Sequence, residues 1–291
     1  VNQSMELFFR KYGEPGPPLV IVHGLYGSSD NWVSIARDLS DRFEVFAVDQ
    51  RNHGHSPHDP RHDYPSMRED LREFMDRQEI QKAVLIGHSM GGKTVMSFAE
   101  AWPERVQALV SVDIAPRSYR NLALVSRSAA NHASMIDAMM KIDLDKISSR
   151  EEADRALSQS IGSERIRGFL LKNLRRDRKG AFHWRINLEA ISNNLEAIFA
   201  GMDREAIKAG GGITGFPVLF ISGGNSDYIR TADHPLIRDI FPTAEVVSVA
   251  GAGHWIHGEQ PALLVKKLRY FIDIETAALC SDTGLKRGAP V

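Results

Sequence analysis

Short apolar segments recur along this chain, and each is followed by a cluster of polar or glycine residues. The apolar runs cover residues 19–22, 45–48, 83–86, 106–112, 217–221 and 246–249, and their polar residues are Gln107, Ser111 and Ser248. Nearly continuous apolar runs of this length are typical of parallel strands that are buried on both faces of a sheet. Segments with apolar residues at helical spacing separate most of the runs. The chain is therefore predicted to form an α/β fold with a mostly parallel, doubly wound sheet and helices on both faces.

The segment Gly87-His88-Ser89-Met90-Gly91 directly follows one of these predicted strands and opens a predicted helix. A serine between a strand and a helix, flanked by glycines, is the pattern of a nucleophile elbow. The glycines allow the strand and the helix to approach closely while the serine adopts a strained backbone conformation. Ser89 is therefore the candidate nucleophile. A serine alcohol needs an adjacent base, and a neutral imidazole is suited to that role near neutral pH.

His254 is the candidate base because it lies in the glycine-rich loop after the last predicted strand. His23 and His88 are interpreted as framework residues beside the site. Four more histidines are interpreted as members of a solvated loop: His53, His55, His58 and His62. No cysteine or convergent pair of carboxylates accompanies them at a recognisable zinc spacing, so no metal site is predicted.

Four motifs in this order resemble the α/β-hydrolase superfamily across residues 5–274: the His23-Gly24 loop, the loop from Asp49 to Ser56, the Ser89 elbow and the Gly253-His254 loop. Three further blocks look like the YbfF-type bacterial esterases and their mitochondrial abhydrolase-domain relatives. They are the segments 87–93, 112–116 and 223–226. The resemblance implies hydrolysis of esters or thioesters by a serine, without a cofactor.

The acid that orients His254 has two candidates. In most of the superfamily it lies in the turn after the strand that here ends at Ile221, and an ungapped alignment puts Ser226 at that position. Asp227 comes one residue late, and a shift of one residue in a turn changes the direction of the side chain. Asp113 ends the predicted strand next to the nucleophile strand, and the resemblance also favours it. We therefore expect Asp113 as the acid, Ser226 as a supporting hydrogen-bonding residue and Asp227 as the alternative.

The amides of Leu25 and Met90 are expected to form the oxyanion hole, as in the elbow of this superfamily. Their side chains, with that of Tyr26, are expected to line an acyl pocket. The remaining predicted pocket residues are His23, Gly24, Met135, Met139, Phe169 and Trp255. The methionines have adaptable thioether side chains that suit a substrate pocket, but the same spacing is typical of an ordinary core.

Residues 117–212 break the alternation of strands and helices, and they are predicted to form a helical lid inserted into a core of residues 1–116 and 213–275. Residues 276–291 are predicted to be a flexible tail. Within the lid, residues 164–185 carry many more basic than acidic side chains, and one helix is expected to continue through Leu174. This basic cluster is either a solvated surface or an attractor for an anionic leaving group such as the phosphates of coenzyme A.

A net charge of -1 and a pI near 6.9 give no footprint for nucleic acid. The single Cys280 excludes an internal disulfide, which favours the cytoplasm. No segment reaches the roughly 18 apolar residues of a membrane span. The expected protein is a monomer or homodimer that acts on a small-molecule ester or thioester with a short to medium acyl chain. Two alternatives are a carbon-carbon bond hydrolase with the same triad and a binding protein on an inactive hydrolase fold.

Overall fold

A computed structural model describes residues 5–120 and 132–282, with side chains up to residue 274. Its main sheet has seven strands in the order β1-β3-β2-β4-β5-β8-β9, and all neighbours are parallel except β1 and β3. The strands of this sheet are β1 (Phe9–Tyr12), β2 (Pro18–Val22), β3 (Glu44–Val48), β4 (Ala83–His88), β5 (Val106–Val112), β8 (Val218–Gly223) and β9 (Ala244–Val249). The predicted doubly wound α/β sheet is therefore confirmed. Edge strand β1 was not predicted because its sequence, Phe-Arg-Lys-Tyr, has no apolar run.

The helices that cover the sheet lie on both of its faces. They are α1 (Val33–Leu39), α2 (Tyr64–Arg77), α3 (Met90–Ala101), α10 (His234–Ile240), α11 (Ile256–Glu259) and α12 (Pro261–Asp282). Val20 and Val22 of β2 join a core with Leu71 of α2, whereas Leu19 and Ile21 join a second core that packs against α1 and α12. Successive residues of each central strand are thus buried on opposite faces, which explains the nearly continuous apolar runs.

The segment between β5 and β8 leaves the sheet, and we refer to residues 117–212 as the inserted segment. Its described helices are α4 (His132–Met140), α5 (Arg150–Ser158), α6 (Glu164–Leu171), α7 (Leu188–Asn193), α8 (Leu195–Ile198) and α9 (Arg204–Ala209). A small antiparallel hairpin of β6 (Leu174–Arg176) and β7 (Phe182–Trp184) lies between α6 and α7. Residues 121–131 of the predicted lid lie outside the described residues.

Two expectations for helix ends differ from the structure. The helix expected to continue through Leu174 ends at Leu171, and Leu174 instead begins β6. Asn173 interrupts it, because its side-chain amide donates to the carbonyls of Leu170 and Tyr26. At the C-terminus, α12 continues to Asp282, so part of the predicted tail is helical, and residues 283–291 lie outside the described residues. Within the described chain, no helix combines the length and the apolar character that crossing a membrane requires.

Candidate active site

Ser89 lies at the sharp turn between β4 and α3. Its backbone has φ 53° and ψ -122°, a conformation that costs a non-glycine residue about 1–3 kcal/mol. The Ser89 N–H donates to the Val112 carbonyl at 3.0 Å, which fixes the turn against β5. A side chain at Gly87 would collide with the carbonyl of Gly91, and one at Gly91 would collide with the carbonyl of Val22. The two glycines therefore allow the close approach that the strained serine requires.

A chain of hydrogen bonds connects Ser89 to a buried carboxylate. His254 Nε2 lies 3.0 Å from Ser89 Oγ, and His254 Nδ1 lies 2.8 Å from Asp113 Oδ2. The Asp113 side chain is fully buried. Its Oδ1 accepts the Gly223 N–H at 2.9 Å, and its Oδ2 also accepts the Ser226 hydroxyl. Three donors thus surround this carboxylate, which keeps a buried charge hydrogen-bonded.

The two candidate acids occupy different environments. Asp113 follows the end of β5, next to the nucleophile strand β4, and it has a positive φ of 51° that turns its side chain toward His254. Asp227 is half-buried in the loop after β8, and its carbonyl accepts a hydrogen bond from Arg117 at 3.1 Å. The structure therefore brings Asp113, not Asp227, into the hydrogen-bonded chain with His254. The Ser226 hydroxyl donates to Asp113 Oδ2, the same oxygen that His254 Nδ1 contacts.

The two residues whose amides are predicted to form the oxyanion hole lie at the start of α3 and in the loop after β2. Met90 is the first residue of α3, so its N–H has no acceptor within the helix. Leu25 lies in a turn closed by the Gly27 N–H and the Gly24 carbonyl at 3.0 Å. The side chains of both Leu25 and Met90 line the same cavity as Ser89. The turn also holds Tyr26 at a positive φ of 64°.

The cavity beside Ser89 has a volume of about 240 Å³. Its lining is mostly apolar and aromatic, and it comprises Leu25, Tyr64, Met90, Lys93, Ile114, Tyr119, Arg120, His132, Ala133, Leu195, Glu196, Ile198, Phe199 and Tyr228. The inserted segment supplies much of this wall, and the sequence patterns of the core do not indicate which of its residues face the cavity. Tyr64 begins a helix, and Tyr119 and Tyr228 lie in segments that follow strand ends. Their location near the carboxyl ends of the strands is the one sequence signal by which they could have been found.

Leu25 and Met90 line the cavity as predicted, but the other predicted pocket residues lie elsewhere. Of the described residues that line the cavity, none belongs to the predicted set His23, Gly24, Tyr26, Met135, Met139, Phe169 and Trp255. The two methionines are buried in the inserted segment's own core, so the ordinary packing interpretation applies to them. The Phe169 and Trp255 rings contact each other, and Trp255 meets the His254 ring edge to face at 5.7 Å. His23 accepts the Gln50 N–H at 3.0 Å and thereby supports the loop after β3.

Tyr228, which the sequence analysis missed, stacks on the candidate base. Its ring lies parallel to the His254 ring, with centroids 3.8 Å apart and an interplanar angle of 16°. The Tyr228 hydroxyl lies 3.3 Å from His132 Nε2, and the other nitrogen of His132 lies 3.3 Å from the Tyr26 hydroxyl. His132 begins α4, so the inserted segment contacts the wall of the site through this imidazole.

The prediction of a solvated histidine loop is wrong for two of its four histidines. His53 and His62 are fully buried, whereas His55 and His58 are exposed. His53 Nε2 accepts the Tyr26 N–H at 3.2 Å and thus supports the turn of residues 24–27. We refer to this turn, which carries the predicted oxyanion-hole residue Leu25, as the oxyanion turn. Burial, together with the charge of His23, lowers the pKa of His53 well below its usual value.

The pKa values of three rings, those of His62, His132 and His257, are lowered in the same direction. Burial lowers the pKa of His62 and of His257 to about 3 and that of His132 to about 4. His88 is also buried, and its Nε2 lies 2.9 Å from the His254 carbonyl. Burial and the neighbouring histidines lower the pKa of His88 well below its usual value. These rings are neutral at neutral pH, so the site carries no additional imidazolium charges.

Lys93 of the elbow helix binds the inserted segment at its first residue and again near its end. Its ammonium donates to the Arg117 carbonyl at 2.9 Å and to the Ala200 carbonyl, and it lies over the Tyr119 ring at 4.7 Å. Burial and the nearby Arg117 guanidinium lower the pKa of Lys93 to about 7. Within residues 5–120 and 132–282, no group of three or more histidine, cysteine, aspartate or glutamate side chains could hold a metal ion.

The parallel sheet, the strained serine and the hydrogen-bonded chain at the strand ends define an α/β hydrolase. The model of the alpha/beta hydrolase fold matches residues 17–261, and the chain belongs to this family.

The sn-1-specific diacylglycerol lipase ABHD11 of Xenopus tropicalis is 39% identical over 265 residues, which cover 89% of this chain and 79% of that protein. Esterase YbfF of Escherichia coli strain K12 is 36% identical over 256 residues, or 88% of this chain and 93% of that protein. A solved structure of a marine microorganism esterase shares 45% identity and a TM-score of 0.85, over 92% of this chain and 100% of that one. These relatives confirm the predicted family and the prediction of a carboxylesterase-type enzyme.

Proposed function

We propose that this protein is a serine hydrolase that cleaves carboxylic esters or acyl thioesters through an acyl-enzyme on Ser89. The observation that supports this proposal is the hydrogen-bonded chain from Ser89 through His254 to Asp113. Such a chain provides a nucleophile, a base and a group that orients the base. An inactive binding protein on this fold would have no need of a strained serine within 3.0 Å of an imidazole.

In the proposed reaction, His254 Nε2 takes the hydroxyl proton as Ser89 Oγ attacks the carbonyl carbon of the substrate. Asp113 stabilises the imidazolium that forms and holds the ring through Nδ1, while Ser226 orients the carboxylate. The Leu25 and Met90 amides donate to the oxyanion of the tetrahedral intermediate. The imidazolium then protonates the leaving alcohol or thiol, and the same ring activates the water that hydrolyses the acyl-enzyme.

The cavity supports an acyl group of short to medium length. Its volume of about 240 Å³ lies below the roughly 300–1,000 Å³ of sites for drug-sized ligands. Ile114, Leu195 and Phe199 give the wall an apolar character, which suits an acyl chain. We include acyl-CoA among the proposed substrates because the inserted segment carries excess positive charge, and we propose that this segment acts as a lid. A cytoplasmic location and a monomeric or homodimeric state remain predictions from the sequence.

The test combines an active-site probe with a panel of substrates. Ser89→Ala should remove fluorophosphonate labelling and lower ester turnover by about 10⁴-fold or more, since the nucleophile is lost. Ser34→Ala, at an exposed position of α1, is the matched control and should change neither readout. The panel contains p-nitrophenyl esters, acyl-CoAs and a carbon-carbon bond hydrolase substrate. Labelling that persists in Ser89→Ala, or turnover of the carbon-carbon substrate alone, would contradict the proposal.

A further inference from the structure

A second cavity, of about 110 Å³, lies beside the oxyanion turn, and Tyr26 of that turn is part of its wall. It opens between the sheet domain and the inserted segment, and both contribute to its wall. Its lining residues are Tyr26, Ser28, Asp30 and Asn31 from the first and Arg150, Lys172, Asn173, Arg175 and Arg185 from the second. Four of these nine side chains are basic and one is acidic. Neither Ser89 nor His254 lines this second cavity.

The single carboxylate of Asp30 does not balance the positive charges of the four basic side chains in this cavity. Its carboxylate is shared by three guanidinium groups, those of Arg10 at 2.5 Å, Arg175 at 3.5 Å and Arg185 at 3.8 Å. Asp49, which is buried below the turn, is already bonded to the Ser29 and His55 amides. Burial and the charge of Arg175 lower the pKa of Arg185, which indicates that the cations repel each other here. An additional anion would relieve that repulsion.

Arg175 and Arg176 are neighbours on β6 but occupy different environments. Arg175 lines the cavity, and its buried Nε has no hydrogen-bond partner among the described residues. Arg176 instead donates to the Gly180 and Ser148 carbonyls and covers the Phe182 ring. Side chains alternate between the two faces of a strand, so only one of the two arginines faces the cavity. Of the basic cluster predicted for residues 164–185, Arg175 and Arg185 therefore line this cavity and Arg176 does not.

We propose that this cavity is a binding site for a phosphate-type anion, held by Arg175 and Arg185 with Lys172 and Arg150 at the rim. Guanidinium groups donate in a planar fork that matches phosphate oxygens, and those of Arg175 and Arg185 share Asp30 as their acidic neighbour beside the cavity. The anion joins residues of the inserted segment to the turn that carries Leu25 and Tyr26. Its binding therefore holds the inserted segment against the oxyanion turn. The phosphate is either inorganic or part of a substrate's leaving group.

The experiment measures binding of inorganic phosphate by calorimetry and by the shift in Tm at constant ionic strength, with chloride as the reference anion. Saturable binding is expected in the unmodified protein and in Ser89→Ala, so the result does not depend on the proposed catalysis. Arg175→Gln should weaken binding by about tenfold or more, because a charged hydrogen-bond donor is lost. Arg176→Gln is the matched control and should bind as the unmodified protein does.

Asp30→Asn provides a variant with the opposite expectation. It removes the carboxylate that competes for the guanidinium groups, so phosphate should bind more tightly. This result would support the site even if Arg175→Gln failed to fold. Equal losses in Arg175→Gln and Arg176→Gln, weaker binding in Asp30→Asn, or no preference for phosphate over chloride would overturn the proposal.

Kinetics distinguish the two sources of the phosphate. If the site binds a leaving group, inorganic phosphate should compete with acyl-CoA and leave the hydrolysis of p-nitrophenyl acetate unchanged. If it binds free phosphate, both substrates should respond alike, and both responses should be absent in Arg175→Gln. A response that persists in Arg175→Gln would show that phosphate acts elsewhere and would contradict the assignment.

Discussion

Mild acid should destabilise this protein through its buried histidines. His62 and His257 are buried and His132 is half-buried, and their pKa values lie near 3, 3 and 4 in the folded protein against a usual 6.5. Between these values the unfolded chain binds more protons than the folded one, so the free energy of unfolding falls as the pH falls. Between pH 7 and pH 5, each ring lowers the free energy of unfolding by about 2 kcal/mol, and the three rings together lower it by about 6 kcal/mol. Typical total stabilities are only about 5–15 kcal/mol.

Denaturant unfolding followed by circular dichroism at pH 7, 6 and 5 measures this loss. His62→Gln should reduce the proton uptake on unfolding by about one, because it removes one titrating ring. His183→Gln is the matched control, since His183 is exposed on β7 and should leave the pH dependence unchanged. A free energy of unfolding that falls by less than about 2 kcal/mol over this range would refute the reasoning, because the folded rings would then have to accept protons.

Further predictions concern the proposed site. Asp113→Asn should lower kcat by about 10⁴-fold and Asp227→Asn by less than about tenfold, and a reversed ranking would move the acid to Asp227. Ser226→Ala should cost about one hydrogen bond, or roughly 1 kcal/mol in kcat/KM, and a loss as large as that of Asp113→Asn would make it an essential residue. Chelators should leave kcat/KM unchanged, and a loss of activity that a divalent metal restores would contradict the proposed mechanism. Tyr228→Leu should lower kcat, because the aromatic face that stabilises the imidazolium is lost, whereas Tyr228→Phe keeps the ring and should leave kcat unchanged.

The fold could be predicted from the sequence because the buried parallel strands leave a strong local signal. Residues 83–88 and 218–223 are apolar on both sides, and only a sheet covered by helices on both faces buries such strands. Strand β1 was missed because it lies at the edge and has charged side chains. Helix α6 was predicted too long because the hydrogen bonds of Asn173 come from a tertiary contact with Tyr26.

The structure brings the three residues of the predicted triad together but not most of the predicted pocket residues, and the two outcomes have a related cause. Ser89, Asp113 and His254 each follow a predicted strand, and the order of the strands brings these ends together. The acyl cavity depends instead on how the inserted segment packs on the sheet, which involves contacts between residues far apart in sequence, such as His132 and Tyr228. The buried histidine loop was misjudged because polar residues are usually exposed, and burial here depends on tertiary hydrogen bonds such as that of His53.

The ammonium of Lys93 brings two distant points of the chain together. Arg117 and Ala200 lie 83 positions apart by their numbering, yet their carbonyls accept from the same nitrogen. The segment between these two residues therefore leaves the sheet and returns to it at nearly the same place. Its length can change while the distance between its two ends stays the same, since lengthening a surface loop adds little entropic cost. The same catalytic scaffold can thus exchange this module for another of different size, and new specificities can evolve without rebuilding the core.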